Sequence, residues 1–333
     1  MPLTATTLGL FPLPDDARET LADLKGHQKG DLVSGDEPPE IEAVYDDARA
    51  THLDTQQAAG LDLHVEGQAR WDDMLAHPLT VNDAVDTGGI VRYYDNNNFY
   101  RDPIVTDALE ASGDVARDLE RAGEHTDSLQ AVLPGPYSLA ELATDDYYGD
   151  DADFLAALGD FLAGEAAEFP DVDALFLLEP SLATDPPGDG PDARASDAID
   201  TVASAVDAPV IVQSYWGALP DKVYAHLLDA DIDGVGLDLV SAPDDNAVLV
   251  GEYGAPDAIS LGLVDGQNTL VESPDIIEER LDWFTERLPG MDFTTTYLTP
   301  NTELFHLPTN KFEAKLDALA TAADRVDATE VDA

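Results

Sequence analysis

The feature that most constrains this chain is a rhythm. Eight short, mostly apolar runs recur along it, each separated from the next by a longer polar or amphipathic stretch. The runs are Thr6–Leu10, Leu61–Val65, Leu129–Leu133, Ala174–Leu178, Pro209–Gln213, Gly234–Leu239, Ile259–Val264 and Thr295–Leu298. Runs this short and this apolar suit strands buried on both faces, as in a parallel sheet covered by helices. Between them, residues 40–58, 106–122, 152–167, 194–206, 219–229, 273–288 and 311–325 carry helical periodicity, and 242–253 carries it more weakly. Strands alternating with helices mean βα units. Eight of them predict an α/β fold, a (β/α)8 barrel of the TIM type. It is expected to be a single domain over residues 1–325, with 326–333 as a flexible tail. Such barrels take roughly 250 residues, and this chain has 333. The excess lies in extra segments after strands 1 and 2, residues 12–39 and 66–105, the second rich in Asn, Asp and aromatics. A doubly wound open sheet is the alternative, but no GxGxxG follows a run, so a dinucleotide site has no support.

Charge narrows the setting. The chain has 69 acidic and 16 basic residues, a formal net charge of −53 spread along its length. Self-repulsion at this density destabilises a compact state, and molar salt relieves it by shortening the Debye length to about 3 Å. The expected setting is the cytoplasm of a salt-accumulating halophile, an acidic mesophilic protein being the alternative. With 44% hydrophobic residues the chain can build a core, unlike an acidic disordered tail. No basic stripe exists to neutralise phosphates, which argues against nucleic acid and against an anionic membrane surface. No run approaches 18 apolar residues, so no transmembrane helix is expected. The N-terminal stretch lacks the basic and long apolar regions of a signal peptide. The absence of cysteine rules out disulfides and thiolate metal sites.

In a barrel, chemistry collects where the strands end. Gly9-Leu10-Phe11-Pro12 and then Arg18 follow the first run, and Gly67-Gln68-Ala69-Arg70-Trp71-Asp72 follows the second. Further on come Pro134-Gly135-Pro136-Tyr137, Glu179-Pro180, Ser214-Tyr215-Trp216-Gly217, Asp238, Asp265-Gly266-Gln267-Asn268 and a last loop ending in His306. Polar and aromatic groups converging on apolar strands make a polar-lined pocket with aromatic walls. Arg18 and Arg70 suit bidentate capture of a carboxylate, or else pair with neighbouring acids. Glu179 reads equally as a strand-end carboxylate accepting backbone N–H groups. Asp238 and Asp265 also read as loop or cap residues, Tyr215 and Trp216 as core, and His306 as a structural histidine. The histidines His27, His52, His64, His77, His125, His226 and His306 form no HxH, HxxxH or HExxH, so zinc is not expected in this chain.

In order along the chain, these motifs resemble the cobalamin-independent methionine synthases, over roughly residues 5–325, in a halophilic archaeal form. Thr6-Thr7-Leu8-Gly9-Leu10-Phe11-Pro12, Gly60-Leu61-Asp62 through Asp72-Asp73-Met74, Leu133-Pro134-Gly135-Pro136 and Leu178-Glu179-Pro180 look like family blocks. That family moves a methyl group from 5-methyltetrahydrofolate polyglutamate to homocysteine with two (β/α)8 barrels, the C-terminal one holding zinc. Ser214-Tyr215-Trp216-Gly217, Leu237-Asp238-Leu239-Val240, Gly262 through Asn268, and Asn301-Thr302-Glu303-Leu304-Phe305-His306 are most similar to the N-terminal barrel. Where the catalytic barrel has a His-x-Cys zinc pair, this chain reads Gln213-Ser214-Tyr215-Trp216, and where it has Gly-Glu, Gly67-Gln68. The family's Arg-Glu-x-Lys motif falls on Arg18-Glu19-Thr20-Leu21, keeping the arginine and losing the lysine. The resemblance implies a protein of methionine biosynthesis, its small-molecule methyl donor a methylated tetrahydrofolate or a similar carrier. The implied partner is a separate zinc-bearing catalytic barrel chain, and the rival role is a non-catalytic binding or scaffold subunit. Trp71, Tyr137, Tyr215 and Trp216 would wall the donor, Arg18 and Arg70 grip carboxylates, and Gln68, Asp72, Glu179, Asp238, Asp265, Asn268 and His306 supply polar contacts.

The charge argument is checked by urea unfolding at increasing KCl. The midpoint is expected to rise steadily between 0.1 and 2 M KCl, whereas an unchanged midpoint contradicts the role given to self-repulsion.

Overall fold

The computed structural model describes residues 3–21, 37–92 and 99–331. His27 and residues 22–36 of the first extra segment lie outside the described residues. Seven strands form one curled, wholly parallel sheet, in the order Leu3–Ala5, Thr295–Pro300, Ala258–Val264, Gly234–Asp238, Val210–Gln213, Ala174–Leu178 and Gln130–Pro134. Five of these strands, from Gln130 through Val264, are buried at every residue. Helices cover the outer face, among them Pro39–Ala59, Asp151–Ala167, Pro191–Ala203, Pro243–Tyr253, Pro274–Arg287 and Thr309–Val331.

Six of the eight expected strands form within two residues of their runs. The first two differ. The strand at the N-terminus is Leu3–Ala5, and Thr6–Leu10 is the loop that leaves it. Gly9 (φ 80°) and Leu10 (φ 43°) are left-handed, which no strand accommodates. The second run, Leu61–Val65, makes a single parallel bridge, His64 to Leu129. Side chains have taken its ladder groups. Asp62 Oδ2 accepts from the Ala5 N–H at 2.7 Å, and both backbone groups of Val65 bond the Gln56 amide. The backbone still reaches both sheet edges. The Asp62 N–H donates to Ala5 O, and His64 exchanges bonds with Ser128 and Gln130. The helix expected over 106–122 begins only at Asp114, because Gly113 is left-handed (φ 68°) and Ser112 is tied to Glu165.

Inside the curl, polar side chains bond one another. Gln130 accepts from Thr6 Oγ1 at 2.7 Å and donates to Thr7 O, and Gln213 accepts from Ser260 Oγ at 2.7 Å. Gly236 makes room for this layer, since a Cβ there would lie 2.0 Å from Gln213 Oε1. The second extra segment carries a feature the helical and strand rhythm does not announce. Val85–Arg92 and Phe99–Val105 pair antiparallel, and Thr144–Asp145 adds to the second. An ion pair of 2.6 Å from Arg101 to Asp72 ties this hairpin to the loop after the second run.

Among the described residues, one lysine is buried. Lys315 on the last helix is inside the fold, with Nζ donating to Glu272 Oε2 and Leu270 O, both at 2.6 Å. Glu272 Oε1 in turn accepts from the Asp265 N–H, so the pair pins the loop that follows Ala258–Val264. Lys315→Met removes the nearer of two cationic partners from the buried Glu272, leaving Arg280 Nη1 at 3.7 Å, at a cost of up to about 3–5 kcal/mol. Urea unfolding in molar KCl should show this loss, and the double variant with Glu272→Gln should recover part of it.

Candidate strand-end site

Because the sheet is parallel, all seven strands end on one rim, and the loops there interlock. The first two loops are zipped together: the Leu10 N–H donates to Gln68 Oε1 at 2.7 Å and the Phe11 N–H to Gly67 O at 3.2 Å. Among described residues, three non-glycines have positive φ, and all lie on this rim: Leu10, Gln68 (φ 52°) and Trp216 (φ 65°). Such conformations cost of order 1–3 kcal/mol each and persist only where the surroundings fix them. Gln68 is fixed by its N–H bond to Glu66 Oε1, and Trp216 by its N–H bond to Asp238 Oδ2. At Gly67 (φ 94°) only glycine fits, since a Cβ would stand 2.1 Å from His52 Nδ1.

The loop after the second run folds inward over the rim. Trp71 is 4% exposed and Met74 2%, and Leu75 and Ala76 are fully buried. Trp71 stacks on His77, ring centroids 4.9 Å apart, and His77 Nε2 lies 3.0 Å from Asp114. Arg70 lies below, with Glu37, Asp114 and Asp118 all accepting from it at 2.9–3.1 Å. Arg49 bonds Asp118 at 2.6 Å and Asp46 at 2.7 Å, and its Nε lies 3.4 Å from Glu66. Burial works against charge on Asp114, but His77 and Arg70 outweigh it and hold that carboxyl far below the usual range. Glu66 is pushed up to about 7 by burial and by the Asp118 carboxylate. Val65, Glu66, Gln68, Trp71 and Gln130 border a void of about 10 Å³, room for one water.

A second group forms across the rim. The Tyr215 hydroxyl donates to Met74 Sδ at 2.9 Å, and the Tyr215 and Trp216 rings meet edge to face at 4.9 Å. Asp238 is fully buried and accepts from the N–H groups of Trp216, Val240 and Ser241 and from Asn301 Nδ2. Glu179 is also fully buried and accepts from the N–H groups of Tyr137 and Ser138 and from Ser138 Oγ. It thereby caps the helix Pro136–Leu142, the structural role its position before Pro180 allowed. Burial raises its carboxyl to about 7 against these three donors. Glu303, beside Thr302, is likewise raised to about 7 by burial.

The structure thus gathers Gln68 with Trp71, and Tyr215 with Trp216 and Asp238, while the Tyr137 hydroxyl donates to Asp185 O at 2.8 Å. It leaves others apart. Arg18 is exposed on the helix Asp15–Leu21, bonded to Asp15 and to Leu13 O. Asp72 pairs with Arg101, Asp265 is partly exposed, and Asn268 is exposed and closes its own turn on Leu270. His306 is exposed and edge-on to Phe305. Sequence reasoning missed Glu66 and His77 as rim residues and Gln130 as a polar group inside the curl. Glu66 stands directly before Gly67, a signal that was available, whereas nothing near His77 marks its stack on Trp71. No group of three His, Asp or Glu side chains among the described residues is arranged to hold a metal ion. An amide, a hydroxyl, a phenol and an indole, as in Gln213 to Trp216, do not fit zinc.

The buried Glu179 gives a pH test. Its folded midpoint, about 7, lies above its ordinary value of 4.5. Its stabilising contribution is therefore complete below 4.5 and is lost as pH rises through 7. Glu179→Gln should flatten the fall in stability between pH 5 and 7 by up to about 1.4 kcal/mol per pH unit. Parallel curves for the two proteins would contradict the assignment.

The family described as cobalamin-independent synthase, N-terminal domain, matches residues 82–284. A methionine synthase of Sulfolobus acidocaldarius is 24% identical, the alignment covering 84% of this chain and 80% of the relative. A 5-methyltetrahydropteroyltriglutamate–homocysteine methyltransferase of Salinibacter ruber is 27% identical over 92% of this chain but only 44% of its own length. A solved B12-independent methionine synthase from Shewanella sp. W3-18-1, in complex with selenomethionine, is similar in fold, with a TM-score of 0.79, 18% identity and 99% of both chains covered.

Proposed function

Because the chain belongs to the cobalamin-independent synthase N-terminal domain family, we propose that it serves methionine formation with a separate zinc-bearing barrel chain. Its part is to hold a methylated tetrahydrofolate, or a similar methyl carrier, while the partner activates homocysteine. The observation that carries this reading is the rim. Aromatic groups and hydrogen-bonding groups are held there in strained, preorganised loops, and among the described residues no group of side chains beside them is arranged to hold a metal ion. A thiol with a pKa of about 8.5 is mostly protonated at neutral pH, and a coordinating metal is what deprotonates it. Trp216 and Asp265, which are partly exposed, and Asn268 and His306, which are exposed, are the strand-end groups that would meet a flat donor. We read residues 1–325 as one closed (β/α)8 barrel whose eighth stave is Leu61–Val65. Its support is the set of backbone bonds from this segment to Ala5 on one side and to Ser128 and Gln130 on the other. The acidic composition supports a salt-rich cytoplasm as its setting.

A scaffold that docks on the zinc chain without binding donor is the second reading. It is favoured by the internal saturation of Arg70, Glu179 and Asp238, which leaves these groups little to offer a ligand.

The test is methyl transfer to homocysteine in molar KCl with zinc and methyl-tetrahydrofolate, the chain alone and then mixed with the zinc-bearing barrel protein. Activity only in the mixture is expected. Methyl-tetrahydrofolate should quench the chain's own tryptophan fluorescence, and Trp216→Ala should weaken that binding at least about tenfold, the worth of one ring–aromatic stack. Activity in the mixture without donor binding selects the scaffold, and activity alone overturns the division of labour.

A further inference from the structure

Away from the rim's centre, a groove runs between the helix Pro274–Arg287 and the turn that leaves Gly234–Asp238. Its volume is about 540 Å³, within the range of small-molecule sites, roughly 300–1,000 Å³. One wall is apolar, formed by Leu239, Val240 and Pro243. The other is a single stripe of the helix, with Trp283 set between Arg280 and Arg287. The Arg287 guanidinium lies 3.7 Å from the Trp283 ring centroid, and its Nη1 donates to Trp283 O at 3.1 Å. Arg280 Nη1 donates to Leu263 O and lies 3.7 Å from Glu272 Oε1, and the side chain is still 32% exposed toward solvent. Asp244 and Glu279 complete the lining. A chain with 16 basic and 69 acidic residues therefore gives two arginines and an indole to one concave surface.

This lining selects by elimination. A bare anion meets Asp244 and Glu279, and a bare cation meets two guanidinium groups. A purely apolar molecule would strip water from all four charges without replacing it, which is unfavourable. Screening in molar salt, with a Debye length of about 3 Å, leaves only contact pairs to count. What satisfies every wall is a molecule with both charges close together and a short apolar body. We propose that this groove binds an α-amino acid with an apolar side chain. The carboxylate takes the guanidinium groups of Arg280 and Arg287, where charge-assisted and bidentate bonds are strongest. The ammonium takes Asp244 or Glu279, and the side chain lies between Trp283 and the wall of Leu239, Val240 and Pro243. The site needs nothing from the methyl-transfer reading, and an amino acid foreign to that chemistry should occupy it.

The test is equilibrium dialysis and tryptophan fluorescence in 2 M KCl with L-leucine and L-methionine as probes. Saturable binding of at least one is expected. The truncated analogues 4-methylpentanoate, which lacks the ammonium, and isoamylamine, which lacks the carboxylate, should bind at least about tenfold more weakly than leucine, because each leaves charged partners unpaired. Arg287→Glu changes an exposed side chain and should abolish binding with the fold intact by circular dichroism. Trp283→Phe should remove the fluorescence response while dialysis still detects the probe more weakly. No saturable binding of either amino acid overturns the proposal. Equal binding of 4-methylpentanoate and leucine overturns it in favour of an anion site, and binding unchanged in Arg287→Glu removes it from this groove.

Discussion

The strand-end rim depends on two buried guanidinium groups. Arg49 and Arg70 share Asp118 between them, and through Glu66, Asp114 and Glu37 they hold the loop after the second run against its neighbouring helices. Trp71 stacks on His77, His77 is anchored to Asp114, and His77 and Arg70 together hold Asp114 charged against its burial. Losing one partner from such a network leaves a buried charge without compensation, typically a cost of several kcal/mol. The left-handed Gln68 and the close approach of Gly67 to His52 are tolerated because this network determines the path of the chain around them.

Arginine at position 70 was thus read in the sequence as a grip on a ligand or a partner for neighbouring acids, and the geometry gives it the second role. The same holds for Glu179, whose three donors all come from the helix it caps. Strand periodicity was legible where burial on both faces imposes it, as in Ala174–Leu178, where run and strand coincide. It failed at Leu61–Val65, because an alternating apolar pattern does not reveal that Gln56 and Asp62 will claim the backbone groups a ladder needs. It failed at Thr6–Leu10 because one glycine in an apolar run does not disclose a left-handed pair. The hairpin Val85–Arg92 with Phe99–Val105 went unread because its first strand is exposed from Asp86 onward and Gly88-Gly89 interrupts its pattern.

Aromatic placement was partly legible. Tyr215 and Trp216 stand where a strand end puts them, yet the contact of Tyr215 with Met74 spans 141 positions, which no local pattern encodes. Likewise, the loop Asp265 to Asn268 could be found by its motif, whereas its pin, Lys315 on Glu272, joins residues 43 positions apart. Fold class follows from local periodicity, and the arrangement of the rim follows from charges meeting across the chain.

The buried carboxyl groups have a consequence for the acidity of the whole molecule. Glu66, Glu179 and Glu303 are raised to about 7 and Asp73 to about 6, each chiefly by burial. In the unfolded chain these groups are ionised at neutral pH, so folding draws protons from the solvent. The formal charge of −53 therefore overstates what the folded molecule carries. Folding regulates its own charge, discharging some of the acids at the rim instead of balancing each with a scarce cation, and the molecule buffers the solution around it near neutrality.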